Sequence, residues 1–109
     1  MDQFPEFISQ LPEVDIPWEG VGGNLLQGEG IQVVFLHFQR QTVVPEHSHR
    51  AQWELVLAGE VALNLEGEQT SYRAGQSFYI PAGMVHGAVV QAGYRAIVFF
   101  DQADRYQTK

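Results

Sequence analysis

From Gln32 to Phe100 the chain runs in short apolar stretches broken by glycine, proline and charged residues, and no stretch holds a helical repeat. Alternation of apolar and polar positions predicts strands over Gln32–Arg40, Gln52–Ala58, Val61–Leu65, Thr70–Arg73, Ser77–Ile80, His86–Val90 and Tyr94–Phe100. Ala58-Gly59-Glu60, Glu66-Gly67-Glu68 and Ala92-Gly93 read as tight reversals between them. In the strand from Gln52 to Ala58, the residues Gln52, Glu54 and Val56 share one face, and Trp53, Leu55 and Leu57 share the other. Close strands with glycine punctuation predict an all-β sandwich or barrel.

Residues 1–30 break this pattern. They hold Pro5, Pro12 and Pro17, and five glycines from Gly20 to Gly30, yet Phe4, Phe7, Ile8, Leu11, Val14, Ile16 and Trp18 are too apolar for a free tail. The segment is expected to wrap the barrel as an arm (1–30) with one or two irregular edge strands, with 31–109 as the barrel, one domain overall. The face that carries Trp53 and the leucines needs a cover, because large exposed apolar patches are uncommon on monomers. The N-terminal arm or a second chain could supply it, and a homodimer through that face is the expectation.

Composition narrows the partners. Thirteen acidic residues against six basic ones leave a net charge of −7, and the basic residues are scattered. A chain that neutralises phosphates needs a basic stripe, so nucleic acid and anionic membranes are poor partners. No apolar run approaches the length of a membrane span, and the start, Met1 to Glu6, lacks a positive region followed by an apolar one. A soluble, cytoplasmic protein is expected. The absence of cysteine excludes disulfides, thiolate metal sites and cysteine nucleophiles.

Three of the four histidines fall in two short segments. The first is His47-Ser48-His49, with Gln52 and Glu54 following and Gly59 closing it; the second is Gly75, then Pro81-Ala82-Gly83, then His86. Residues two apart on a strand share a face, so His47 and His49 can offer imidazoles to one side of a sheet. Proline fixes one dihedral and glycine tolerates positive φ, so Pro81-Ala82-Gly83 is a turn that aims His86. Three imidazoles with an oxygen donor suit one divalent transition metal ion (Mn, Fe, Ni, Cu or Zn) better than Ca or Mg. Around it, His37, Val56, Phe78 and Ile80 are candidate pocket residues, with Phe78 and Ile80 as an apolar wall.

These two segments resemble the paired motifs of the cupin superfamily. The second motif matches from Gly75 through Pro81, Gly83 and His86, and departs where Val90 stands in place of asparagine. The first keeps His47 and His49 but is one or two residues short before Gly59. The resemblance covers Pro45 to Val90, and the flanking strands extend it to about Gln32–Phe100. It implies a cupin-type double-stranded β-helix, a jelly-roll barrel, with a metal held by His47, His49, His86 and a fourth residue. Counting back from Gly59 selects Gln52 for that place; counting forward from His49 selects Glu54, which could otherwise serve as a general base. The implied function is a metal-dependent enzyme acting on a small oxygen-bearing molecule, as oxygenase, isomerase or lyase. A module that binds or senses a small ligand without catalysis is the alternative.

Overall fold

A computed structural model describes residues 4–109; Met1, Asp2 and Gln3, the start of the expected arm, lie outside the described residues. After a four-residue helix, α1 (Glu6–Ser9), come β1 (Val21–Gln27), β2 (Gln32–Phe38), β3 (Thr42–His47), β4 (Gln52–Ala58), β5 (Glu60–Leu65), β6 (Glu68–Arg73), β7 (Ser77–Ile80), β8 (His86–Val90) and β9 (Arg95–Phe100). They pair as two antiparallel sheets, β1-β2-β9-β4-β7 and β3-β8-β5-β6. Each of the seven strands read from the alternation is present, its ends displaced by at most two residues.

Two strands carried no clear alternation signal. β1 falls in the segment expected to hold irregular edge strands; it lies at the edge of its sheet and, despite Gly22-Gly23, pairs with β2 over its whole length. A Cβ on Gly23 would stand 2.9 Å from the Phe35 carbonyl oxygen, so glycine here permits close backbone approach. β3 contains Pro45, which removes a ladder donor, and its pairing with β8 shifts register between Val44 and His47.

The inner faces of the two sheets form the core. Val34, Val56, Ala96 and Val98 of the larger sheet are sealed from solvent, and Val61, Leu63 and Val90 of the smaller one nearly so. Outward, Trp53 stands opposite both Tyr79 and Phe99, its ring 5.8 Å from that of Phe99. These three and Leu57 remain about two-fifths or more exposed. That is the face for which the sequence leads to the expectation of a cover.

The last residues lie along the barrel rather than away from it. Gln32 on β2, only 1% exposed, donates to the carbonyls of Ala103 and Tyr106 (both 3.0 Å) and accepts from the Tyr106 N–H (3.0 Å). Buried amides normally pair all their groups, and this one does so by strapping residues 103–106 to the sheet. No helix among the described residues is long and apolar enough to cross a membrane.

Candidate metal centre

β3 ends at His47, which pairs directly with His86 at the start of β8. His49 lies beyond the strand, in the loop that leads to β4. The shared side of His47 and His49 therefore comes from a loop, not from strand parity. That loop is anchored: the Gly83 N–H donates to the His49 carbonyl at 2.9 Å. Gly83 has φ +79°, so the turn that aims His86 also fixes the backbone of His49.

The three imidazoles converge. Their ring centroids lie 4.3 Å (His47 to His86), 4.8 Å (His49 to His86) and 5.1 Å (His47 to His49) apart, and their donor nitrogens fall within 4.8 Å of one another. Every Nδ1 faces a backbone carbonyl: His47 to Pro45 at 2.9 Å, His49 to Arg50 at 2.7 Å, His86 to Met84 at 2.9 Å. A carbonyl oxygen only accepts, so each Nδ1 carries the proton and each Nε2 keeps its lone pair. His49 Nε2 is buried with no hydrogen-bond partner. A buried orphan acceptor is costly, and a metal ion shared with His47 and His86 would satisfy it. The donor set fits a transition metal.

Beneath the histidines lies a buried polar chain. Gln52 Nε2 donates to Glu54 Oε1 at 2.8 Å, and the Tyr94 hydroxyl donates to Glu54 Oε2 through a very short bond. Glu54 is 6% exposed and Tyr94 1%. With the carboxylate accepting from its amide nitrogen, Gln52 leaves its carbonyl oxygen unengaged. Burial pushes the Glu54 carboxyl up to about 7 against the pull of its two donors. Burial also lowers the His49 imidazole to about 4, a fall that its Nδ1 bond to the Arg50 carbonyl opposes and that the Arg105 charge deepens; His86 moves the same way.

These shifts oppose each other in stability. Glu54, raised, contributes stability that is full below its unfolded value near 4.5 and is lost as pH rises through about 7. His49, lowered, contributes stability that is full above 6.5 and is lost as pH falls through about 4. Metal-free protein should therefore show a flattened stability profile between pH 4 and 7. Removing the carboxylate in Glu54→Gln should unmask the histidine slope, with urea midpoints that climb as pH rises. Parallel profiles for the two proteins would refute this balance.

A cavity of about 80 Å³ opens beside the cup, and its lining includes His47, His86, Gln52, Glu54, Phe78 and Ile80. The Phe78/Ile80 face is turned inward, while Tyr79 is 58% exposed. Val56 continues the inner face but is buried in the core outside this lining, and His37 lies elsewhere, in a separate cavity of about 480 Å³ with Asn24, Phe38, Tyr94 and Arg95. Among the lining residues that the sequence reading did not assign to the site are Tyr94 and Arg105. Tyr94 had a signal, since it shares parity with Ala96, Val98 and Phe100 on one strand face; Arg105 had none.

Comparison with known proteins agrees with the architecture. The family model described as a cupin domain matches residues 34–100. An RmlC-like cupin from Shewanella frigidimarina is similar over 96% of both chains, with 28% identity and a TM-score of 0.77. KdgF from a Halomonas species is similar over 84% of this chain and 88% of its own, with 25% identity and a TM-score of 0.73. Oxalate decarboxylase of Bacillus subtilis, which has Mn(II) centres, is similar over 89% of this chain but 29% of its own length, with 16% identity and a TM-score of 0.72. That last likeness speaks for the fold alone. No curated protein matches the sequence. A family match running from β2 through β9, on a barrel shared with these structures, means that the chain belongs to the cupin domain family.

Proposed function

We propose that this cupin is a metal-dependent enzyme acting on a small oxygen-bearing molecule, with His47, His49, His86 and Gln52 holding one divalent transition metal ion. The observation that carries the reading is the common orientation of the imidazoles. All three Nδ1–H groups are spent on backbone carbonyls, and the Nε2 of His49 is buried without a partner. Histidines kept only for packing have no reason to share one tautomer around one point. Gln52 is favoured over Glu54 as fourth donor because both Glu54 oxygens already accept hydrogen bonds.

When bound, such an ion polarises a substrate oxygen and lowers the pKa of attached water. The chain's own residues supply the rest. Phe78, Ile80, Val98 and Phe100 exclude water from the cavity walls, which strengthens every charge interaction inside. Glu54, with its carboxyl poised near neutrality and lining the cavity, can hold or release a proton there, while the Tyr94 hydroxyl, which donates to Oε2, keeps the carboxyl in place. A buried carboxyl tuned in this way favours catalysis over passive ligand binding.

Metal analysis of protein purified without an affinity tag tests the reading. One transition-metal ion per chain is expected, released in acid as protons compete for the imidazoles. Because burial lowers His49 to about 4 and lowers His86 too, that release should come at lower pH than free imidazole would give. A chain that takes up no transition metal when offered Mn, Fe, Ni, Cu and Zn in turn would end this proposal.

A further inference from the structure

Arg105 lines the same cavity as His47, His86, Gln52 and Glu54. Its guanidinium carbon sits 4.4 Å from the Tyr106 ring centre and 5.5 Å from that of Phe100, and its Nε is buried without a hydrogen-bond partner. The ion pairs among the described residues engage Arg40, Arg50, Arg73 and Lys109, but not Arg105. Glu54, the carboxylate in the cavity lining, already accepts from Gln52 and Tyr94. The strap held by Gln32 brackets this residue, with Ala103 before it and Tyr106 after it, so the backbone that carries the guanidinium is pinned.

We propose that Arg105 is a specificity residue that binds the carboxylate of a small organic acid seated against the histidine cup. The proposal rests on the metal-dependent reading above and names the substrate class of that site. A guanidinium offers donors only, in a planar fork that matches a carboxylate, so its partner must be an acceptor and is best an anion. Stacking on Tyr106 and Phe100 holds the fork flat and shields it from water, which strengthens a charged contact. The size of the cavity, about 80 Å³, limits the acid to a few carbon atoms. An acid with a second oxygen beside its carboxyl, as in 2-oxo and 2-hydroxy acids, could face the arginine and the histidine cup together.

Calorimetric titration with pyruvate, glycolate and oxalate, and with neutral methyl pyruvate as control, tests the assignment. It would be run on Zn-loaded and on metal-free protein, for the parent, Arg105→Met and Arg105→Lys. At least one acid should bind the parent, and Arg105→Met should weaken it ~10- to 100-fold, the value of a charge-assisted hydrogen bond. Arg105→Lys should fall between, methyl pyruvate should bind poorly to all three, and bound zinc should be the same in all three. The dependence on Arg105 should persist without metal, because the guanidinium acts on the carboxylate directly. Equal acid binding by the parent and Arg105→Met would leave the arginine a mere stacking group and overturn the proposal. Failure of all three acids to bind the parent would overturn it as well. A chain that takes up none of Mn, Fe, Ni, Cu and Zn but still binds acid through Arg105 would defeat the metal-dependent reading and keep this one.

Discussion

Replacing His49 by alanine is expected to abolish stoichiometric metal binding while leaving the metal-free protein as stable as its parent or more so. The asymmetry follows from the orphaned Nε2. Without metal this buried acceptor has no partner, so its removal relieves a cost, whereas most truncations of buried side chains destabilise. The loss of metal affinity should exceed the ~10- to 100-fold typical of residues that merely support a ligand. In thermal unfolding, metal at a hundredfold excess over its dissociation constant should stabilise the parent by ~2.7 kcal/mol and the variant by almost nothing. A variant that retains one ion per chain would remove His49 from the site.

Glu54→Gln is expected to lower metal affinity ~10- to 100-fold even though Glu54 is not assigned as a ligand. The present carboxylate accepts at both oxygens, which obliges Gln52 to give its amide nitrogen and keep its oxygen free. A glutamine at position 54 has one acceptor and one donor end. If its oxygen meets the Tyr94 hydroxyl, its nitrogen faces Gln52, which must then turn its own nitrogen to the cup. An amide nitrogen has no lone pair to give a metal. If it turns the other way, the Tyr94 proton meets an NH₂ group, a buried mismatch costing ~1–3 kcal/mol. Adding Tyr94→Phe removes that conflict, so the double variant should recover much of the lost affinity. Unchanged affinity in Glu54→Gln and in Gln52→Ala would leave a site of three histidines. Affinity lost in Glu54→Gln, kept in Gln52→Ala and not rescued by Tyr94→Phe would make Glu54 the ligand.

The strands with regular alternation were legible because burial of one face imposes a period of two, and β4, β5, β7 and β9 obey it closely. β1 and β3 were obscured by the residues that suit them to their places: Gly22-Gly23 lets β2 approach, and Pro45 sits where the ladder shifts register. The three histidines could be found from spacing and from the Pro81-Ala82-Gly83 turn, although the turn also anchors His49 in a way no periodicity implies. Glu54 was visible as a carboxylate on an inward face, a local contradiction that often marks a working site. Its partner Tyr94 stands forty residues away, and the contact depends on how β4 and β9 pair. Arg105 follows the last strand in irregular chain, and its position depends on a glutamine more than seventy residues earlier. Contacts of that kind leave no mark on local pattern.

Phe38 and Tyr94 border both the cavity at the histidine cup and the larger one around His37, and their rings meet edge to face at 5.8 Å. Both are almost wholly buried. This aromatic pair makes the barrel a vessel with a floor instead of a pipe. A molecule held beside Arg105 would meet these two rings on its way toward the larger cavity, so the two spaces are adjoining rooms rather than stations along one passage.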